Sequence, residues 1–399
     1  MMKKMTITKM GTNNSTVNHM TGNGAMMHPA SCGCSKCILP ASYQFAEADE
    51  SGECKFCRSF EEKTFAGAEK LIRDLNLKEG ERLGITVSGG KDSIYMWGFL
   101  SDLLGADRIE AFCYYRPGIT SEVAVDNVKK TQRILGAKLH IIEDRTAYPR
   151  FRRNLEILLE KPDPAAVRVL LCAGCRFGIT GRLYEEGRKY GVTKYISGAS
   201  YLELAPFKEE LLAAKDPAQK NNLDAGFEKL ISSYPELDYG NNLEIIKRDQ
   251  HFKYKNNDTM CNQIQTAADI QLFDFDNYFE NNPGRIESLV KERFGWRKTD
   301  RSWHFDCIVE DIKDVFYYGM LGYTEMDFKL SAMVRYGLLT REEAQKKVHD
   351  EADKLAHSYR KMRDTLHMHK LDHMEEKLKE LYCNSPYLVM EEEKGEKIA

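Results

Sequence analysis

No run of about 18 or more apolar residues occurs anywhere in the 399-residue chain, which excludes a membrane-spanning helix. An excess of either charge is also missing. There are 58 Lys and Arg against 61 Asp and Glu, a net charge of −3, so nothing draws the chain as a whole to nucleic acid, although a local basic patch stays open. Residues 1–30 have no continuous apolar core and no small-residue cleavage site. They read as a polar, disordered tail on a protein that is not exported and stays in the cytoplasm. No internal repeat is found. At 42% hydrophobic, 30% charged and 10% aromatic, the composition excludes wholesale disorder, collagen and a small disulfide scaffold. The length suggests two or three domains at roughly 150 residues each.

What is present in unusual supply is cysteine. In a reducing compartment, clustered cysteines point to metal or redox chemistry rather than disulfides. Seven of the eleven fall in two clusters. Cys34-x-x-Cys37 and Cys54-x-x-Cys57 are two tight turns, each aiming two sulfurs at one point. Their spacing fits a tetrahedral four-thiolate Zn²⁺ site with no open position, hence structural. Cys32 is a spare that could replace Cys34. Cys172-x-x-Cys175 alone is ambiguous among a redox pair, half a metal site, part of an iron–sulfur site and a plain packing role. Cys261 and Cys307 are the candidate third ligands. Cys113, in an apolar run, reads as core, and Cys383 receives no role.

The most specific segment is RLGITVSGGKDSIYMWGFL, residues 82–100. An apolar, β-branched strand (83–87) is followed by Ser88-Gly89-Gly90-Lys91-Asp92-Ser93 and then a buried helix (92–104). A strand, a glycine turn and a helix make an anion cradle. Glycines let backbone N–H groups approach a phosphate, and the helix start adds unpaired donors and positive partial charge. Lys91 adds full charge, Ser88 and Ser93 add hydroxyls, and Asp92 either holds Mg²⁺ or caps the helix. A Walker A pattern is absent. Further strands at 109–115, at 138–144 and from 194 alternate with helices, the last of these running from Cys175 to Tyr190. This predicts an α/β fold, a doubly wound parallel sheet. Ligands of such sheets sit beyond the strand C-termini. Ser88–Ser93, the loop after Tyr115, and Gly198-Ala199-Ser200 should therefore share one rim.

The hexapeptide Ser88–Ser93 after a strand resembles the PP-loop of the ATP pyrophosphatases (the adenine nucleotide α-hydrolase-like, HUP-like superfamily). The resemblance implies that the loop grips the pyrophosphate end of ATP, that the α–β bond is cleaved, and that a carbonyl-type oxygen of the substrate is adenylated. Lys91, Asp92 and Ser93 would be catalytic. Ser88, Gly89, Gly90, Gly198 and Ser200 would complete the nucleotide site, with ATP and Mg²⁺ as cofactors. The knuckle segment with Ile38-Leu39-Pro40 and Asp49-Glu50-Ser51-Gly52 is similar to that of the N-acetyl sugar amidotransferases of surface-polysaccharide synthesis. So is 305–344, with its Thr340-Arg341-Glu342-Glu343 helix start. That likeness implies nitrogen transfer to a small molecule such as a nucleotide-activated sugar, with ammonia from a partner glutaminase. The chain departs from that family at Ser197–Glu203, where a Trp-Gly-Glu-Asn-like motif is expected. The combination of knuckle, loop and Cys172-x-x-Cys175 also resembles the two-thiouridine-forming PP-loop tRNA sulfurtransferases. That implies sulfur transfer to tRNA or a small carboxylate or amide, through a [4Fe–4S] cluster or persulfide, with a sulfur-carrier partner. A non-catalytic ATP-binding module is the third reading.

The expected organisation is a tail (1–30), a zinc knuckle (31–60), an ATP-binding domain (61–204), an insertion and substrate-side region (205–345) and a charged helical tail (346–399). A strand is expected near IQLFDF within the insertion. Residues 341–381 read as one or two long surface helices, packing on the domain or on the partner in a homodimer. His304 reads as a packed side chain rather than a ligand. Trp296 and Trp303 read as packing residues. Arg335 and Lys313 read as solvated surface charges, the alternative being a grip on a substrate phosphate or carboxylate.

Overall fold

The computed structural model describes residues 33–198, 200–215, 253–254, 264–265, 270–299 and 305–390. The expectations for residues 1–32, Ala199, Cys261, Trp303, His304 and 391–399 fall outside these.

Five parallel strands form the central sheet. They are β1 (Leu83–Thr86), β2 (Ile109–Tyr115), β3 (Lys138–Glu143), β4 (Lys194–Ser197) and, after a two-residue ladder of β5 (Lys253–Tyr254) with β6 (Ile264–Gln265), β7 (Gln271–Asp274). The order is β3-β2-β1-β4-β7. The strand expected near IQLFDF is thus the fifth strand of the same sheet, Lys194 to Ser197 pairing with Gln271 to Asp274. Alternation along each strand feeds two cores. On β2, Ala111 and Cys113 join one, and Phe112 and Tyr114 the other. Cys113 is the core residue its neighbourhood predicted.

The first core packs α2 (Gly67–Leu75), α3 (Lys91–Leu104) and α4 (Glu122–Leu135), together with α8 (Pro283–Phe294). The second packs α5 (Ala147–Glu160), α6 (Gly174–Arg188) and α7 (Phe207–Lys215). Helices on both faces make the sheet doubly wound. The chain reverses between β1 and β4, where a crevice opens at the strand C-termini. Among the described residues no helix is long and apolar enough to cross a membrane.

Beyond the sheet come α9 (Val309–Leu321), α10 (Glu325–Arg335), α11 (Arg341–Ala356), α12 (Tyr359–Met368) and α13 (Glu375–Asn384). Thr324 with Asp327, and Thr340 with Glu343, close reciprocal capping boxes at the starts of α10 and α11. The one or two long helices expected over 341–381 are three, of 16, 10 and 10 residues. Ser358 interrupts the run by donating to the Leu355 carbonyl, and Lys370 adopts φ 55°. Their apolar faces, including Tyr359, Leu366 and Tyr382, are buried in the second core.

Candidate functional site

The loop after β1 is fixed by its own side chains and by two distant ones. Gly89 has φ 88°, and a Cβ there would run into the Ala124 carbonyl of α4, so glycine is required on both counts. The Ser88 hydroxyl accepts from the Gly90 N–H at 3.2 Å. The Ser93 hydroxyl accepts from the Ser88 N–H at 3.2 Å and donates to the Gly90 carbonyl at 3.0 Å. Gly90 starts α3, and no side chain caps that end. Asp92 does not cap; both its oxygens lie 2.7 Å from Lys91 Nζ. The Gly89 carbonyl accepts from Trp296 Nε1 at 3.0 Å and Asn127 Nδ2 at 3.2 Å. Asn127 also spans the backbone of Arg297, accepting at 3.1 Å and donating at 2.7 Å. Trp296 therefore packs, against Phe305, but also holds the loop.

Before the loop lies a cavity of about 730 Å³. Ser88, Gly90, Lys91, Asp92 and Ser93 border it, with Arg116 and Thr120 from the loop after β2 and Gly198 and Ser200 after β4. The three predicted segments thus share one rim. Gly198, just after β4, faces α3: a Cβ there would lie 3.3 Å from Met96 Sδ and at ordinary contact, 3.8 Å, from the Ser93 Cα.

Cys172, Cys175 and Cys307 line the same cavity. Cys172 lies in a π-helical turn (Val169–Ala173), a geometry frequent at functional sites, that leads directly into α6, where Cys175 is the second residue. Cys307 is brought in because its backbone bridges to Thr120, with Ile308 N–H donating to the Ile119 carbonyl at 3.0 Å. Cys175 Sγ accepts from Arg150 Nη2 at 3.7 Å and also from Arg116. Arg116 is itself aimed by the Thr120 hydroxyl, 3.2 Å from its Nε. Burial pushes the Cys307 thiol up to about 11, against the pull of Arg116. Among the described residues the three sulfurs do not close into the tight group a single ion needs.

The cavity lining also carries charge. Glu325 is 3.4 Å from Arg168, 3.2 Å from Lys208 and 2.8 Å from Lys313. Lys313 also meets Glu310 at 2.9 Å, and Lys329 meets Glu203 at 2.8 Å. Lys313 is 3% exposed, so the solvated reading of that residue is wrong: α9 turns it inward to two carboxylates. Arg335 stacks its guanidinium over Phe56 at 5.7 Å.

The four-cysteine group stands apart from this cavity. Cys34, Cys37, Cys54 and Cys57 sulfurs all lie within 4.8 Å of one another. The Cys34–Cys57 and Cys37–Cys54 separations are 3.8 Å. A tetrahedron with zinc–sulfur bonds of about 2.3 Å has edges of about 3.8 Å, so the donor set fits Zn²⁺. Cys34 Sγ also accepts the N–H groups of Lys36, Cys37 and Cys54, each at 3.4 Å. Arg341, at the start of α11, donates to the carbonyls of Cys34 and Cys37 at 2.9 and 3.1 Å.

Sequence reasoning missed Asn127, Arg116, Arg150 and Glu325. Asn127 left a signal, being polar on the stripe Ala124, Val128, Thr131 that α4 buries. Arg116 left another, being the first residue past β2 on the binding edge of the sheet.

No family model matches the chain. A 170-residue stretch is 29% identical to the tRNA-5-methyluridine(54) 2-sulfurtransferase of Thermotoga maritima. The match covers 40% of this chain and 51% of that protein, so the chain spans about half the length of the curated relative it matches. Among solved structures, the U34-tRNA thiolase NcsA of Methanococcus maripaludis with its [4Fe–4S] cluster is similar at a TM-score of 0.30 and 13% identity, over 80% of this chain and 88% of that one. Glutamine-dependent NAD+ synthetase of Acinetobacter baumannii, in complex with ADP, is similar at 0.30 and 15%, over 74% and 43%. NMN synthetase of Francisella tularensis is similar at 0.25 and 16%, over 48% and 97%. None of those named is a sugar amidotransferase.

Proposed function

We propose that the protein adenylates a carbonyl-type oxygen of an acceptor with ATP and then replaces that oxygen with sulfur. The observation that carries this reading is the placement of Cys172, Cys175 and Cys307 on the wall of the cavity that the Ser88–Ser93 loop opens into. The sulfurtransferase relative and the PP-loop likeness support it.

The N–H groups of the loop and the start of α3 hold the pyrophosphate end of ATP, and Lys91 adds a full positive charge. Asp92 shares Lys91 with its own carboxylate and is the residue that would hold Mg²⁺. Gly198 and Ser200 border the nucleotide from β4. The acceptor oxygen attacks the α-phosphorus, the α–β bond breaks, and pyrophosphate leaves into the loop that stabilises its charge. A sulfur nucleophile then attacks the activated carbon, and the carbon–oxygen bond to AMP breaks.

Cys172, Cys175 and Cys307 are the residues that would hold a [4Fe–4S] cluster, which when bound supplies a site for the transferable sulfur. The cluster-free alternative is a persulfide on one of them: its outer sulfur attacks the carbon, AMP leaves, and a second of these thiols then cleaves the S–S bond, leaving the product sulfur on carbon and a disulfide between the two cysteines. Arg116 and Arg150 both lie against the Cys175 sulfur and orient it at the cavity wall. Cys34, Cys37, Cys54 and Cys57 would hold a structural Zn²⁺.

Anaerobically purified protein should absorb near ~400 nm, the iron–sulfur region, or carry sulfane sulfur on these cysteines. Cys172→Ser, Cys175→Ser and Cys307→Ser should each abolish that signal. Folded protein with neither a band nor sulfane sulfur would overturn sulfur transfer. Nitrogen transfer, with the same first step and a partner glutaminase, would then take its place. Lys91→Ala should abolish acceptor-dependent release of AMP and pyrophosphate. Formation of ADP and phosphate by the wild type would remove α–β cleavage altogether.

A further inference from the structure

The loop and the three thiols account for part of the cavity lining. Another part, built from residues that adenylation and sulfur transfer do not use, is a second polar centre. Arg168 precedes the π turn, Lys208 lies in the first turn of α7, Lys313 is on α9, and Glu325 is the first residue of α10. Four separate segments thus deliver four charged groups to one place, at 3.4, 3.2 and 2.8 Å from the Glu325 carboxylate. Each is at most 9% exposed, and each faces the cavity.

Such a cluster is a poor device for holding a fold together. Desolvating several charges costs about as much as their attraction returns, and apolar residues of similar size commonly do as well. Among the described residues Lys313 also meets Glu310 at 2.9 Å and has the buried Asp314 nearby. Lys313 lies near Cys172, so this centre adjoins the thiols. The buried carboxylate gathers these cations without filling the cavity, and a second anion in the cavity competes with it for their charge.

We infer that Arg168, Lys208 and Lys313, gathered on Glu325, form the acceptor subsite of this cavity, and that it takes a small molecule bearing a carboxylate or a phosphate. This rests on the adenylation reading above and specifies its substrate class. An acceptor anchored here by its anionic end extends past Cys172 and Cys175 toward the Ser88–Ser93 loop. Its reacting oxygen then lies between the thiols and the nucleotide. Burial of the three cations in a cavity favours a small molecule over the exposed backbone of a nucleic acid.

Calorimetric titration of the full chain tests this, with α,β-methylene-ATP occupying the loop and either succinate or inorganic phosphate as the probe. At least one probe should bind saturably at millimolar concentration, and the better one identifies carboxylate or phosphate as the group read. Lys313→Gln should weaken that binding about tenfold or more, the size of one charge-assisted hydrogen bond. Glu325→Gln should tighten it, by about threefold or more, because the competing charge is gone. A folding defect would not produce that opposite sign. Should Lys313→Gln fail to fold, Arg168→Lys serves, its lost fork geometry again weakening binding. Absence of binding by both probes, or binding indifferent to Glu325→Gln, would overturn the subsite and leave adenylation standing. Failure of α,β-methylene-ATP itself to bind would instead bring down the adenylation reading.

Discussion

The indole N–H of Trp296 donates to the carbonyl of Gly89 at 3.0 Å, across 207 positions of sequence. The bond turns the Gly89 peptide so that its oxygen points into protein, while Asn127 grips the same oxygen from α4. Trp296→Phe keeps the ring contact with Phe305 and loses the donor. Affinity for α,β-methylene-ATP should fall by roughly 1 kcal/mol, about fivefold. Adding Asn127→Ala should cost more than the sum of the two single changes, because Gly89 then loses both donors. Nucleotide titrations of the four variants check this.

The two loop glycines should respond differently to one methyl group. Gly89→Ala meets the Ala124 carbonyl in a backbone conformation that disfavours a Cβ, so nucleotide binding should be lost. Gly90→Ala places its Cβ 3.3 Å from the Ser88 hydroxyl, which can rotate away, so binding should weaken only several-fold. Equal losses in the same titration would contradict the loop geometry.

Purified protein should carry one zinc per chain by elemental analysis. Serine at Cys34, Cys37, Cys54 or Cys57 should remove it and unfold the knuckle together with its packing on α10 and α11. Arg341→Ala removes two hydrogen bonds to the knuckle carbonyls without touching a sulfur. It should lower stability by about 1–3 kcal/mol in urea melts while zinc content stays at one.

Acid should find His369 early. This side chain is 7% exposed and bonds Tyr148 Oη at 2.8 Å. Burial, and then the charge of Arg152, hold its pKa below the ordinary histidine value. A depressed histidine is neutral in the fold and takes its proton more readily when unfolded. Its contribution is present above the unfolded pKa of about 6.5 and is lost as pH falls from there through the lower folded-state value. Melting temperature should decline between pH 7.5 and 5.5, less steeply in His369→Gln; identical slopes would refute the assignment.

Parts of this were readable because their physics is local. The spacing of Cys34, Cys37, Cys54 and Cys57, the strand–glycine–helix run at 83–104, and the Thr340–Glu343 helix start depend on neighbours a few residues away. The rest depends on pairing between distant segments. Nothing around Lys313 distinguishes an inward lysine from a solvated one until Glu325 is folded beside it. The choice of Cys307 as third thiol at the cavity follows from a bridge to Thr120, 187 positions away, and the role of Trp296 needs Gly89 in place. Helices α11 to α13 were misjudged because their apolar spacing is continuous, while the breaks at Ser358 and Lys370 answer to the core they dock on.

The π turn at Val169–Ala173 works as a phase adjuster for everything downstream of it. Each residue of an α-helix advances the side chain by about 100°, and a π turn holds about one residue more per turn, so Cys172 and Cys175 stand in a different phase from two residues three apart in an α-helix. The register of one short stretch of backbone thereby decides whether two thiols address the same space. Lengthening or shortening it offers a way to separate them without altering either one.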